Sequence, residues 1–376
     1  MTDEAAPLFA VIAGGGTAGH LLPGVAVADA LAARGHAPSS LLFVGSTRGV
    51  ERTLVPAAGY PLVLLPGRGI ARRLSVDNLG AVVGLVRAVW QAIWLLRRRR
   101  PAVVLSLGGY ASVACVVAAT LWRVPVVVTE QNAVAGLANR LAARVARATA
   151  VPFAGVDLPR AVVTGNPVRP EIAALADASP GVRAGARAAM GVPDGRTMVA
   201  VFSGSLGARR VNDAVVGLVQ AWCGRDLTVH HVTGTRDHEA VREAVGDLGA
   251  CTLDYRCVAY DDDMTRLLAA ADVAVCRAGG STVAELAVAG LPAVLVPLPS
   301  APGDHQRANA AALAGPGGAV VIDDAACTTE ELADVLGVLV DDADGRAAMR
   351  TALAAVARPD AAERVAALLE EHARVA

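Results

Sequence analysis

Three glycine turns in this chain of 376 residues each run directly into residues able to do chemistry. The first, GGGTAGH from Gly14 to His20, spaces Gly14, Gly16 and Gly19 as GxGxxG and sets a hydroxyl and an imidazole beside them. Between a strand and a helix, such a turn offers backbone N–H groups to a ligand, and an imidazole titrating near neutrality can take a proton there. A packed or helix-capping His20 is the plain alternative. The second turn, SGSLGARR, places Ser205 to cap a helix and its amides to receive a phosphate. An ordinary strand-to-helix turn would read the same. The third, CRAGGSTVAEL, puts Ser281 and Thr282 at a helix cap and Glu285 one turn in, where its carboxylate either completes a capping box or accepts the two hydroxyls of a ribose. Asp304, His305, Gln306 and Asn309 follow in PLPSAPGDHQRANA, a polar set suited to sugar hydroxyls.

Several chemistries are excluded. A dinucleotide enzyme needs an acidic residue at the end of its second strand to hold a ribose, and LLFVGSTRG offers Gly45 and Ser46. The chain contains no lysine, which removes a P-loop lysine and a pyridoxal Schiff base. A net charge of -1 with 18% charged and 54% hydrophobic residues fits a globular chain and gives no sign of a nucleic-acid partner. Asp261, Asp262 and Asp263 directly precede the amphipathic run MTRLLAAAD, so they read as helix-dipole partners in preference to a metal site. The six cysteines show no CxxC pair and no disulfide framework, and the N-terminus lacks the features of a secretion signal, so a reducing cytoplasm is expected.

The elements that must carry these turns alternate regularly. LFAVIAG, LLFVG, PLVLLPG, PAVVLSLGG, VPVVVTEQN and AVVTGNPV read as buried parallel strands between helical segments such as GVAVADALAARG. After a proline- and glycine-containing stretch the pattern restarts with TMVAVFSGS, LTVHHVTG, DVAVCRAGG, PAVLVPLP and GAVVID. The expected class is α/β: two Rossmann-like, doubly wound parallel-sheet domains facing a central cleft, with ligands at the carboxyl ends of the strands. The expected bounds are residues 1–165, residues 166–345, and closing helices over 346–376 that pack back across the domains.

One helical segment, from Leu79 to Pro101, stands apart. Its eighteen residues ahead of the arginines nearly suffice to span a bilayer, but Arg87 near the middle would cost roughly 2.5–3.5 kcal/mol there. Two readings stay open. It is either a well-buried crossover helix or a helix lying at a membrane surface, with Trp90 and Trp94 one turn apart and Arg97, Arg98, Arg99 and Arg100 near anionic headgroups. Arg72 and Arg73 lie just before it.

Taken together, GGGTAGHLLPG, SLGGYAS, EQNAVAGLANR, TGNPVR, GSLGARRVN, DDDMTRLLAAADVAVCRAGGSTVAEL and DHQRANA occur in this order between residues 14 and 310. In that order they resemble the MurG family of peptidoglycan N-acetylglucosaminyltransferases. The resemblance implies a GT-B fold and inverting transfer of GlcNAc from UDP-GlcNAc to the C4 hydroxyl of MurNAc in the undecaprenyl-linked acceptor lipid I. It also implies a peripheral position on the cytoplasmic membrane face, and cell-wall synthesis and division proteins as partners. No cofactor or metal is obligatory in this reading; UDP-GlcNAc is the donor substrate.

Carried over by position, Thr17, Ala18 and Gly19 match a donor-binding loop and Asn132 a sugar-side contact. Arg169 and Ser205 fall at uridine and diphosphate positions, and Asp261 at a main-chain contact to the base. Gly280, Ser281, Thr282, Val283, Ala284 and Glu285 match the segment that holds ribose and diphosphate. Gln306 matches the glutamine that reads GlcNAc hydroxyls, and His305 its polar neighbour. His20 is the expected general base. Leu206 stands where glutamine is common in the family, so a side-chain contact from that position is lost. A related GT-B enzyme with another acceptor, a UDP-GlcNAc 2-epimerase and a silent nucleotide-binding scaffold are the competing readings.

Overall fold

The computed structural model describes residues 8–47, 49–66, 77–204 and 207–374, with the backbone alone at residue 18 and residues 77–82. The chain divides into two compact units, Met1–Pro170 with Asp360–Ala376, and Glu171–Pro359. The first contains β1 (Ala10–Ala13), α1 (Ala18–Ala33), β2 (Leu41–Ser46), α2 (Glu51–Ala57), β3 (Leu62–Leu65), α3 (Asp77–Arg99), β4 (Val103–Ser106), α4 (Tyr110–Leu121), β5 (Val126–Thr129), α5 (Leu137–Ala143), β6 (Ala148–Val151) and β7 (Ala161–Val163). Its strands are all parallel in the order β3-β2-β1-β4-β5-β6-β7.

After α6 (Pro170–Ala173) come the elements of the second unit: α7 (Pro180–Ala189), β8 (Thr197–Phe202), α8 (Arg209–Ala221), β9 (Leu227–Val232), α9 (His238–Val245), β10 (Asp254–Val258), α10 (Met264–Ala270), β11 (Val273–Cys276), α11 (Gly280–Ala289), β12 (Ala293–Leu295), α12 (His305–Ala314), β13 (Ala319–Val321), α13 (Thr329–Asp341) and α14 (Ala343–Val356). Its parallel sheet runs β10-β9-β8-β11-β12-β13. Both orders reverse direction at the first strand of the unit, so each sheet has a topological switch point, and the loops there are the ones carrying the glycine turns.

The central strands read as continuous apolar runs because helices cover both of their faces. In the first unit Ile12, Phe43 and Leu105 pack on one side under α1, while Val11, Val44 and Val104 pack on the other against α3 and α4. The helix α15 (Ala361–His372) returns to the first unit, seating Val365, Ala366 and Leu369 in the core beside α1. Arg34 and His36 hold its Glu370. In the second unit Val201, Leu218, Val229 and Leu336 form a common core.

Two strands were not anticipated. β6 is only four residues of ATAV, and β10 (DYRCV) is a half-buried edge strand whose Asp254 and Arg256 break the apolar pattern. Cys223 and Cys251 form a disulfide, Cα atoms 4.8 Å apart, although the cysteine spacing indicates no disulfide framework. The pair joins the end of α8 to the loop after α9, a proximity that a sequence separation of 28 residues does not announce.

Candidate active site

In the first unit the loops after β1, β4 and β5 are built on one another. Gly14, at φ +146°, has space for no side chain, because a Cβ would come within 2.6 Å of Gly108 O and 2.7 Å of Leu107 Cβ. The loop after β4 therefore touches the first glycine loop backbone to backbone. Thr17 is the N-cap of α1, with its side chain making no cap bond. Its Oγ1 lies instead 2.9 Å from His20 Nδ1, which places hydroxyl and imidazole on one partly exposed surface. Gly19 follows Thr17 in the first turn of α1, with Ala18 between them.

Beneath this loop lies Glu51, 1% exposed, from the first turn of α2. Its Oε1 accepts the Gly16 N–H at 2.7 Å, and the Ser46 N–H lies 3.5 Å from the same oxygen. An acid does reach the end of β2, but it is turned inward and not offered to a ribose. The Gly16 amide is spent on that carboxylate, so it is not available to a phosphate, and the carboxylate's charge disfavours an anion at this point. Sequence reading missed Glu51 because only the fold brings α2 under the turn.

A second buried carboxylate governs the loop after β5. Glu130, 2% exposed, accepts the main-chain N–H groups of Gln131 and Asn132 at 3.0 Å each and the Asn132 carboxamide at 3.2 Å through Oε1. Its other oxygen accepts Gly136 N–H at 3.1 Å and Asn139 Nδ2 at 2.9 Å. Asn132 is thus held at the carboxyl end of β5 by a carboxylate the motif named but gave no role. At the head of α4, Tyr110 donates to Pro66 O at 2.8 Å, and burial pushes its phenol above the ordinary tyrosine range.

In the second unit the turn after β8 packs tightly at Gly207, φ +72°, where a Cβ would come within 2.0 Å of Thr233 O. The N-cap of α8 is Ala208, which makes no side-chain cap bond. Ser205 and Leu206 themselves lie outside the described residues. Likewise the N-cap of α11 is Gly279, which puts Ser281 and Thr282 inside the first turn and Glu285 a turn further on. The capping-box alternative for Glu285 is thereby removed, since the cap position carries no side chain to complete it. Gly280, Val283 and Ala284 complete that first stretch of α11, and Val283 is fully buried beneath it.

Apart from Arg169, the remaining positions fall around the same sheet end. Asp263 caps α10 by accepting Arg266 N–H at 2.9 Å, and Asp261 accepts Asp263 N–H at 2.9 Å while pairing with His230 Nε2 at 2.9 Å. Burial holds the His230 ring below its ordinary value, against the opposing pull of Asp261. His305 begins α12 with Nδ1 2.9 Å from Pro302 O, and Gln306 Oε1 accepts Leu298 N–H at 2.9 Å, which orients its carboxamide. Arg277, next to the third turn, is 13% exposed at its side chain, donates to Val296 O at 3.0 Å and pairs with Asp324 at 2.6 Å. Arg169 lies at the end of the first unit, half-buried. Among the described residues no group of three His, Cys, Asp or Glu side chains is placed to hold a metal.

The helix α3 is buried along one face and exposed along another. Ala88, Ala92 and Leu96 are buried on the crossover side, whereas Trp90 is 63% and Trp94 54% exposed, their rings 5.7 Å apart. The two indoles, with Arg98 and Arg99, line a groove of about 560 Å³ beside Val63 and Leu65. Arg97 stacks over Trp122 at 5.2 Å, and Arg100 follows the helix with φ 44°. No helix among the described residues is long and apolar enough to cross a membrane. Arg72 and Arg73 lie outside the described residues.

Known proteins match this chain along nearly its whole length. Residues 10–151 match the glycosyltransferase family 28 N-terminal domain, and residues 198–365 the glycosyltransferase family 28 C-terminal domain. The UDP-N-acetylglucosamine–N-acetylmuramyl-(pentapeptide) pyrophosphoryl-undecaprenol N-acetylglucosamine transferase of Desulforudis audaxviator is 38% identical over 370 residues, covering 96% of this chain and 97% of that protein. Its namesake in Mycolicibacterium vanbaalenii is 42% identical over 373 residues, covering 97% and 90%. Among solved structures, MurG of Acinetobacter baumannii superposes with a TM-score of 0.77 at 27% identity, covering 97% of this chain and all of that one. A UDP-GlcNAc 2-epimerase from Neisseria meningitidis, at 13% identity and a TM-score of 0.66 over 97% of this chain and 100% of that chain, shares the fold alone. With both domains matched and identity sustained over both units, the chain belongs to glycosyltransferase family 28, among its UDP-N-acetylglucosamine–N-acetylmuramyl-(pentapeptide) pyrophosphoryl-undecaprenol N-acetylglucosamine transferases.

Proposed function

We infer that the chain transfers N-acetylglucosamine from UDP-GlcNAc to the C4 hydroxyl of the MurNAc unit of lipid I, with inversion, giving lipid II for peptidoglycan synthesis. The observation that carries this reading is identity of 38% over 370 residues, spanning both units, to a relative bearing that activity in its name.

In this mechanism His20 is the general base. With Nδ1–H donating to Thr17 Oγ1, the Nε2 lone pair accepts the proton of the attacking hydroxyl. The C4 oxygen bonds to the anomeric carbon from the face opposite UDP, and the bond from that carbon to the diphosphate breaks, its electron pair leaving with UDP. Amides at the start of α11 around Gly280, the turn containing Ser205, and the Arg169 guanidinium meet the growing negative charge, so no metal is obligatory. Glu285 accepts the ribose hydroxyls, the Asp261 main chain meets the base, and Gln306 with His305 reads the GlcNAc hydroxyls. Thr17, Ala18, Gly19 and Asn132 serve the sugar side. Trp90, Trp94 and Arg97–Arg100 rest on the cytoplasmic membrane face, where the lipid acceptor resides. Cell-wall synthesis and division proteins are the partners expected there.

The test is a transfer assay with labelled UDP-GlcNAc and a short-chain lipid I analogue, scoring disaccharide lipid and released UDP together. Labelled disaccharide lipid is expected. UDP release with no labelled lipid would overturn the reading in favour of an epimerase or a different acceptor.

A further inference from the structure

The Glu51 carboxylate occupies a space that three glycines leave for it. A Cβ built on Gly15 would come within 2.1 Å of Glu51 Oε1, one on Gly49 within 1.6 Å of Oε2, and one on Gly45 within 2.8 Å of Cγ. The side chain is buried, bonded to the loop through Gly16 N–H, and its Oε2 has no hydrogen-bond partner among the described residues. A buried carboxylate with an unpartnered oxygen is costly to fold around, and an apolar residue would fill the space more cheaply. Its one close partner at 2.7 Å is the amide immediately before Thr17, the residue whose hydroxyl meets His20.

We propose that Glu51 is a positioning residue for the transfer reaction: by holding the Gly16 amide it sets the path of the glycine loop and thereby the placement of Thr17 and His20. It acts through the loop and touches no substrate. The proposal rests on the transferase reading and on the role given there to His20. Displacing the carboxylate leaves the second unit unchanged, so the loss falls mainly on turnover, with a smaller effect on donor KM through the sugar-side contacts of Thr17, Ala18 and Gly19.

The experiment measures kcat and KM for UDP-GlcNAc at saturating lipid I analogue in the full chain and three variants. Glu51→Ala lowers kcat about 100-fold and raises KM by no more than about tenfold, the size expected when a reacting group is misplaced by an ångström or so. Gly49→Ala, which pushes on Oε2 from the opposite side and has no left-handed backbone to strain, gives the same split. Glu51→Gln recovers kcat to within about tenfold of the parent, because its amide oxygen still accepts the Gly16 N–H. Normal turnover in Glu51→Ala, a loss that follows the folded fraction by circular dichroism, or no recovery with glutamine would each overturn the proposal. A parent enzyme that forms no disaccharide lipid would overturn the transferase reading instead.

Discussion

Thr17 Oγ1 and His20 Nδ1 stand 2.9 Å apart, so the N-cap residue of α1 also holds the ring in the helix's first turn. His20→Ala is expected to lower kcat by about 100-fold or more, and Thr17→Val, which frees the ring but leaves it in place, by about tenfold. Steady-state transfer at saturating substrates measures both. Near-normal turnover of His20→Ala would remove the histidine from the base role.

Glu130 collects five hydrogen bonds within the loop after β5. Replacing it by alanine strands the buried donors of Gln131 and Asn139 and is expected to cost about 3 kcal/mol of stability. Urea denaturation monitored by circular dichroism measures the loss. A change below about 0.5 kcal/mol would mean that water replaces the carboxylate there.

His231 is fully buried, with Nε2–H donating to Asn212 Oδ1 at 3.0 Å and Tyr255 O–H donating to Nδ1 at 3.0 Å. Burial first, then the neighbouring His230 and His238, pushes its pKa from 6.5 down to about 3. The unfolded chain therefore binds a proton that the folded chain refuses between those values, so this contribution is complete above pH 6.5 and is lost as pH falls. From pH 7 to pH 5 the loss is about 2 kcal/mol. Urea midpoints at the two pH values should show it in the parent and show much less of it in His231→Gln.

Transfer should run at nearly equal rates with and without EDTA, because helix N-termini and arginine meet the leaving diphosphate in the proposed mechanism. A collapse of turnover in EDTA that magnesium restores would require a metal in place of those groups.

The exposed Trp90 and Trp94 side chains, which line one groove with Arg98 and Arg99, are the surface proposed to meet the membrane. Replacing both tryptophans by alanine should weaken sedimentation with vesicles of anionic lipid by about tenfold, and raising salt should weaken it further. Unchanged sedimentation would leave the α3 groove without that role.

Much of the site was legible because glycine turns, strand runs and a polar loop are local features. Gly14 to His20, Gly280 to Glu285 and Asp304 to Gln306 all sit where a strand ends or a helix begins, as their spacing predicts. Helix caps were less legible. Ser281 and Thr282 read as caps by residue type, yet Gly279 takes that place because the loop length, and not the hydroxyls, decides where the helix starts.

The sequence by itself determined the parallel α/β class, since apolar runs alternating with helical periods leave few other solutions, and it located the glycine turns between strand ends and helix starts. Only the tertiary structure decided what lies beneath those turns. Glu51 reaches Gly16 across 35 residues, Glu130 gathers a loop around itself, Cys251 meets Cys223, and α15 returns to the first sheet. A buried carboxylate is chosen by the donors that fold around it, and those donors come from segments whose separation along the chain carries no signal of their meeting.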